Sequence, residues 1–274
     1  MPPNKQYDLD EFKRALTMAM RSISKEDELT VSFGAETGSL NGLKARLPLP
    51  NKSMTKTQLN SLRGEADSIA LFIANHKGEI AQKYLPQGQK AKNIFNSLEK
   101  IRCEAIGAKQ MAGVAKNLGQ MEKARLKRKE LGYLKKEDDD NFIEALSFIV
   151  REKLTGQKLL ETKDTINEWK KWIEDRAKDT IDDLPNQITD QAAFAKILRK
   201  LIGELELGDE LGEEPDDDEN EESDAESDFA SSEDDDQNQD ADSSEQDPDS
   251  TDMDLSDEED ILQSDMVEIG DEED

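Results

Sequence analysis

The 274-residue chain carries 65 acidic and 36 basic side chains, a formal charge of −29, and a single cysteine, Cys103. One cysteine excludes an internal disulfide framework and fits a reducing cytosol. The first residues show no basic stretch followed by an apolar one, and no apolar run approaches the roughly 18–20 residues that span a bilayer. We therefore expect a soluble cytoplasmic protein without a secretory signal or a membrane partner.

The charge is divided unevenly along the chain. Residues 208–274 contain 34 Asp and Glu and no Lys or Arg, which leaves 31 acidic and 36 basic side chains in residues 1–207. Because the acidic segment has few apolar residues, burial there cannot offset roughly 1–2 kcal/mol of backbone entropy per residue. The composition predicts a folded body, 1–207, followed by a disordered low-complexity acidic tail, 208–274.

The body begins with a predicted amphipathic helix that Asp8 can cap. Its apolar residues follow the spacing of one helix face; they are Leu9, Phe12, Leu16, Ala19, Met20 and Ile23. Two alternating runs, 29–33 and 43–47, predict short strands, and the Gly, Ser and Asn residues between them favour a loose hairpin. Pro48 ends the second run because proline lacks the amide that a strand ladder needs.

The middle of the body is predicted to be helical. Thr55 and Gln58 have the spacing of a capping box that opens one helix. Apolar residues between positions 94 and 106 predict a second, longer helix. Three glycines then predict a broken helical segment; they are Gly107, Gly113 and Gly119.

A charge reversal indicates a joint in the body. Residues 123–136 contain seven basic side chains, and the acidic run Glu137-Asp-Asp-Asp140 follows directly. We interpret this as the boundary between a mostly helical domain, 1–136, with its hairpin near 29–47, and a helical subdomain, 137–207, of three amphipathic helices. The predicted fold is mainly α with a small β-hairpin element (α+β), followed by the long disordered acidic tail.

Motifs for binding nucleotides are missing from the sequence. No window matches G-x-x-x-x-G-K-[ST] or G-x-G-x-x-G. If ATP drives the process in which this chain takes part, we therefore expect another chain to bind it. The basic run 123–136 could contact nucleic acid. The attached polyanionic tail would compete for it, however, and Tyr133 is its only aromatic residue, so we predict no nucleic-acid partner.

Candidate metal ligands are few. His76 is the only histidine, which excludes a histidine cluster, and a lone helical histidine more often packs than acts as a base or ligand. One window of the tail has the ligand spacing of an EF-hand loop; it contains Asp234, Asp236, Asn238, Asp240, Asp242 and Glu245. Its sixth position is Gln239, where the sharp turn needs glycine. We predict no catalytic residue, metal site or cofactor in this chain.

Five segments, in this order and spacing, resemble one family. They are Phe12-Lys-Arg-Ala15; Lys44-Ala-Arg-Leu-Pro48; Arg63-Gly-Glu-Ala-Asp-Ser-Ile-Ala-Leu71; Arg102-Cys-Glu-Ala-Ile-Gly-Ala108 with Met111-Ala-Gly-Val-Ala-Lys-Asn117; and Val150-Arg-Glu-Lys-Leu-Thr-Gly156 with Trp169, Trp172-Ile-Glu-Asp175 and Asp190-Gln-Ala-Ala-Phe194. They resemble the N-terminal region of CobT, a subunit of the aerobic ATP-dependent cobaltochelatase.

The resemblance implies a non-catalytic platform subunit in a hetero-oligomeric ring complex. Its implied partners are a ring-forming AAA+ ATPase and a large corrin-binding subunit, and the complex would use ATP and magnesium to insert cobalt into hydrogenobyrinic acid a,c-diamide. Family members usually continue into a von Willebrand A domain with a D-x-S-x-S metal site. The nearest string here, Asp254-Leu-Ser-Asp-Glu258, lacks the second serine. We therefore expect a chain that stops in the acidic linker.

Seven polar residues of the matching segments are our candidates for a partner interface on the surface. They are Arg63, Asp67, Arg102, Glu104, Lys109, Asn117 and Arg151. Ordinary structural roles stay open for each of them, such as an i,i+4 helix pair between Arg63 and Asp67. A different function also stays open, in which the chain is a stand-alone acidic-tailed adaptor or chaperone that binds basic partners through its tail.

Overall fold

The computed structural model describes residues 8–34, 38–129, 139–158, 163–213 and 215. In these ranges eight α-helices accompany one three-stranded sheet, which confirms the predicted mainly α fold with a small β element. The helices are α1 (Leu9–Ser24), α2 (Lys56–Asn75), α3 (Gly78–Tyr84), α4 (Gln89–Gln110), α5 (Ala112–Lys129), α6 (Asp139–Thr155), α7 (Lys163–Asp183) and α8 (Gln191–Ile202); the strands are β1 (Thr30–Gly34), β2 (Ser39–Asn41) and β3 (Lys44–Pro48). None of these helices is both long and apolar enough to cross a membrane.

The first two long helices begin at the predicted caps. The Asp8 carboxylate accepts hydrogen bonds from the backbone amides of Asp10 and Glu11, at 3.0 and 3.3 Å. At the start of α2, the amide of Gln58 donates to the Thr55 hydroxyl at 3.3 Å, and the Thr55 amide donates to the Gln58 side chain at 2.8 Å. These bonds satisfy amides that have no partner inside the helix, so both predicted starts are confirmed.

The predicted hairpin between the two strand runs is wrong in its pairing. β1 and β3 are parallel neighbours, with Ser32 opposite Arg46. An additional short strand, β2, pairs antiparallel with β3, so the order in the sheet is β1-β3-β2. Gly42, at a φ of 51°, makes the tight β2–β3 turn in a conformation that glycine adopts readily. The hairpin therefore lies within residues 39–48 and not between the two predicted runs.

The break in the helical segment occurs at Met111 and not at the three glycines. α4 ends at Gln110 and α5 begins at Ala112, so Gly107 lies in α4 while Gly113 and Gly119 lie in α5. A Cβ at Gly107 would approach Leu71 Cδ2 to 2.3 Å. This glycine therefore permits close packing of α4 on α2 and does not interrupt the helix.

Two hydrophobic cores account for most of the buried apolar side chains. The smaller core lies between α1, α2 and the sheet, and it contains Phe12, Leu16, Met20, Leu29, Ala45, Leu47, Leu59, Leu62, Ala66 and Ala70. The larger core combines α3 and α4 with α6, α7 and α8. It draws on both sides of the predicted domain boundary at residue 136. The boundary itself lies outside the described residues, and the division there stays a prediction.

The chain after α8 folds back onto the start of α4. The Glu210 carboxylate accepts the backbone amide of Ala91 at 2.8 Å. Arg199 donates to the carbonyl oxygens of Leu211 and Glu213 at 3.1 and 2.9 Å. The first six residues assigned to the tail, 208–213, are therefore part of the fold. They supply an acceptor to an amide of the first turn of α4, which has no partner inside the helix, and two further acceptors to the Arg199 side chain of α8. The predicted disordered tail from residue 216 onward lies outside the described residues.

Candidate functional site

Arg102, near the middle of α4, is only 1% exposed. Its Nε lies 2.7 Å from Glu99 Oε2 and its Nη2 lies 2.8 Å from Oε1 of the same carboxylate, which is one helical turn earlier. The guanidinium also donates to the carbonyl oxygens of Asn75 at 2.6 Å and Ile188 at 3.1 Å. One buried side chain therefore joins α4 to the end of α2 and to the turn that follows α7.

His76 and Gln191 extend this group, which we call the Arg102 cluster (His76, Glu99, Arg102 and Gln191). His76 Nδ1 lies 3.0 Å from Glu99 Oε1. Gln191, at the start of α8, binds both the amide and the carbonyl oxygen of Lys77. Burial raises the pKa of Glu99, but the hydrogen bonds from Arg102 and His76 outweigh it and lower the pKa overall. The cluster thus holds a charged carboxylate against a charged guanidinium in the protein interior.

A second group, the Arg151 cluster, joins four helices. It consists of Ser68 of α2, Glu104 of α4, Glu122 and Arg125 of α5, and Glu144 and Arg151 of α6. Glu104 accepts hydrogen bonds from Ser68 and Arg151, each at 2.5 Å. Arg151 also lies 3.4 Å from Glu122. Arg125 lies 3.1 Å from Glu122 and 2.5 Å from Glu144.

The charges of the Arg151 cluster compensate one another. Burial lowers the pKa of Arg151, but Glu104 and Glu122 together raise it well above its usual range. Burial raises the pKa of Glu122, whereas Arg151 and Arg125 lower it overall. Each of these groups is therefore stable in its charged form only while its partners are present.

Asp67 is a buried carboxylate with weaker compensation. It is 5% exposed, and Asn117 Nδ2 of α5 donates to its Oδ2 at 2.8 Å. Burial raises the pKa of Asp67 to about 6, and the hydrogen bond from Asn117 and the charge of Arg63 offset only part of this effect. Arg63 itself donates to Asn60 at 3.0 Å. Of the charged groups with perturbed pKa values in the described residues, Asp67 is the one whose protonation changes nearest neutral pH.

The seven residues predicted at a partner interface fall into separate environments. The structure brings together two pairs, Glu104 with Arg151 and Asp67 with Asn117. Asp67, Arg102 and Glu104 are buried, so the prediction that they lie on the surface is wrong; their charges are desolvated and paired inside the chain. Lys109 is exposed at the end of α4, and Arg63, Asn117 and Arg151 are half-buried. Contact of any of the seven with a partner stays a prediction.

The sequence analysis missed most of the partners in these clusters. Glu99 and Glu122 each precede an arginine by three residues, the spacing of an intrahelical pair. That spacing could have indicated both pairs. Gln191 lies 115 positions from His76, to which it is adjacent in space, and no local pattern reveals such a contact.

The chemistry available to these groups is limited. Burial raises the pKa of the Cys103 thiol well above its ordinary value, so it is not a ready nucleophile. A cavity of about 20 Å³ lined by Glu104, Glu122 and Arg151 has room for about one water molecule. No group of three metal-ligating side chains occurs within the described ranges. The EF-hand-like window of the tail lies outside them.

Comparison with known proteins gives one family. The model for the family described as cobalamin biosynthesis protein CobT matches residues 6–274. No solved structure matches the chain.

Proposed function

The chain belongs to the CobT family and so has a role in cobalamin biosynthesis, and we propose that it acts there as a non-catalytic platform subunit of an ATP-dependent cobaltochelatase. The observation that carries this proposal is the family match, which spans both the body and the acidic segment. In the proposed complex the cobalt ion and hydrogenobyrinic acid a,c-diamide are substrates that other subunits bind.

The internal charges of the body suit a platform. The Arg151 cluster ties α2, α4, α5 and α6, and the Arg102 cluster ties α4 to the ends of α2 and α7 and to α8. Breaking a buried ion pair by removing one partner typically costs about 3–5 kcal/mol. These pairs couple the positions of the helices to one another, and in the proposed role the body would serve as a rigid support for the conformational work of the ATPase.

The energy source that we propose is a partner chain. The sequence contains no phosphate-binding loop, so we propose that a ring-forming AAA+ ATPase binds ATP and magnesium and that a large subunit holds the corrin ring. Stripping water from the metal ion and distorting the ring are the costly steps of metal insertion, and ATP hydrolysis by the AAA+ partner, coupled to a conformational change of the complex, would supply the energy.

Lys109 is our candidate for direct contact with the ATPase. Of the seven predicted interface residues it is the one that the structure leaves exposed, at the end of α4. Arg102, in the same helix, would act indirectly by fixing the position of α4. A charge reversal at Lys109 changes the surface without disturbing a buried pair.

Binding measured by interferometry tests the proposal. The immobilised chain is exposed to the AAA+ chelatase ATPase and, separately, to an unrelated basic protein, with and without ATP and magnesium. The platform role predicts ATP-dependent binding of the ATPase that weakens in Lys109→Glu and not in Lys171→Glu, an exposed lysine of α7. Salt-sensitive binding of the basic protein alone would instead support the acidic adaptor.

A further inference from the structure

The three-stranded sheet has one apolar face and one polar face. Ala45 and Leu47 of β3 are buried against α1 and α2. Because side chains alternate along a strand, the residues between them point away from that core. The register places these residues in two rows across the sheet; the rows are Ser32, Arg46 and Ser39, and Thr30, Lys44 and Asn41.

The polar face is cationic. Each row has a basic residue on the central strand, with a hydroxyl or an amide on either side of it, and neither row contains a carboxylate. Lys44 and Arg46 are both exposed. Among the described residues, neither of them has a carboxylate within ion-pair distance. Since they are two residues apart on one strand, their side chains start about 7 Å from each other.

Gly34 helps to present Arg46. A Cβ at this position would lie 2.4 Å from Arg46 Nε and 2.9 Å from Nη2. The guanidinium therefore occupies the space beside Gly34 that the Cβ of any other residue would need. A planar guanidinium can bind a carboxylate with two parallel hydrogen bonds. The hydroxyls of Thr30 and Ser32 donate to the backbone carbonyl oxygens of Glu28 at 3.5 Å and Ala45 at 3.4 Å, so the two basic side chains are the donors that the face offers to a carboxylate.

We propose that this polar face is a docking surface for the acidic segment of the same chain, residues 216–274. That segment contains 30 Asp and Glu and no basic side chain, so its charge complements the face. Tethering supplies the ligand at a local concentration on the order of millimolar, which allows weak contacts to be occupied. The proposal does not depend on the cobaltochelatase role.

The length of the segment allows it to reach the sheet. The described chain ends at residue 215, close to the start of α4, where Arg199 and Glu210 fix its path. A random coil of 59 residues has an end-to-end distance of about 38–46 Å, and repulsion between like charges extends it further. A body of about 200 residues has a radius of gyration of about 17 Å, so the segment can span it.

Paramagnetic broadening in the full-length chain tests the proposal. A spin label is attached to Ser244→Cys in ¹⁵N-labelled protein, and unmodified protein serves as the control for labelling of the buried Cys103. Spectra are compared at about 10 mM and about 1 M salt, where the Debye length is about 30 Å and about 3 Å. We expect amides of residues 30–34, 39–41 and 44–48 to broaden at low salt and to recover at high salt.

Two double variants decide whether the face itself binds the segment. Lys44→Glu/Arg46→Glu should abolish the broadening of the sheet amides, whereas Lys116→Glu/Lys171→Glu, which changes the charge equally on exposed helix positions, should keep it. If the first variant does not fold, Lys44→Gln/Arg46→Gln replaces it and should reduce the broadening. Broadening of the sheet amides that survives the substitution of Lys44 and Arg46 would overturn the proposal. So would broadening centred on residues 123–129, or broadening between labelled and unlabelled copies in a mixed sample.

Discussion

Arg151 of α6 donates a hydrogen bond to Glu104 of α4, across the point where the sequence reverses its charge. Glu104 is 1% exposed and the Arg151 side chain 15%. The pair is therefore largely removed from water and lies between segments on opposite sides of residue 136. The pairing explains how an arginine and a glutamate can lie where two helices pack together. It also makes the stability of the body depend on both members of the pair being present.

Removing the charge of Arg151 should destabilise the body strongly. Arg151→Met leaves Glu104 and Glu122 buried without their common cation, so we expect the free energy of unfolding to fall by about 3–5 kcal/mol. Urea denaturation followed by circular dichroism measures this change. Lys153→Met is the control, because its pair with Asp182 is exposed to solvent and screened by it, so its loss should change stability far less. Equal losses of unfolding free energy in the two variants would show that the buried charges of the Arg151 cluster do not depend on one another for stability.

Asp67 should make stability fall as the pH rises through the weakly acidic range. Its pKa is raised from 3.8 to about 6 in the fold, so the folded state binds the proton more tightly than the unfolded state does. This contribution is fully present below about pH 4 and is lost by about pH 6, and it is worth at most about 3 kcal/mol.

Asp67→Asn isolates this effect, because the amide oxygen can still accept the hydrogen bond from Asn117. The variant should be more stable than the parent at pH 7 and should match it near pH 4, as measured by thermal unfolding across that range. Other carboxylates, such as Glu99, contribute slopes of the opposite sign, but they cancel in the difference. A variant that is less stable at pH 7 would contradict the account.

Gly64 should be needed for the close packing of α2 on α5. A Cβ there would lie 2.5 Å from the carbonyl oxygen of Asn117 and 2.7 Å from Met121 Cβ. Gly64→Ala must separate the two helices, and we expect a loss of about 1–3 kcal/mol. Gly113→Ala is a matched control, because nothing lies within 4 Å of that site, and it should stabilise α5 by about 0.4–1 kcal/mol. Both are measured by chemical denaturation, and a stabilising Gly64→Ala would refute the packing argument.

Glu210 should stabilise the start of α4. Its carboxylate accepts the amide of Ala91 in the first turn, where a negative charge also interacts favourably with the helix dipole. We expect Glu210→Ala to lower the free energy of unfolding by about 1 kcal/mol. Asp209→Ala, an exposed neighbour, should change it by less than about 0.5 kcal/mol. A truncation after residue 207 should likewise unfold at a lower temperature than one after residue 215.

The parts of the fold that the sequence predicted are those controlled by local interactions. The caps at Asp8 and Thr55 and the apolar stripes of the helices depend on residues within a few positions of one another. The parallel pairing of β1 with β3 depends on an extra strand, β2, whose three residues carry no distinct pattern. Alternation identifies a strand but does not determine which neighbour it pairs with.

The candidate residues show the same division. Arg102 and Glu104 were selected by their family segment, but whether a charged side chain is buried depends on partners distant in sequence. Glu104 is paired with Ser68 and Arg151, 36 and 47 positions away. A single sequence does not reveal partners so far apart, so it predicts a surface position where the structure has an interior network.

The mass of the complex formed with the AAA+ chelatase ATPase tests the central claim most directly. The chain truncated after residue 215 is mixed with the ATPase, ATP and magnesium, and the mass is measured by size exclusion with light scattering. The platform role predicts a large ATP-dependent complex of the same composition as that of the full chain, since the contacts lie in the folded body. No complex with either chain, or one that is lost with residues 216–274, would contradict it and favour the acidic adaptor.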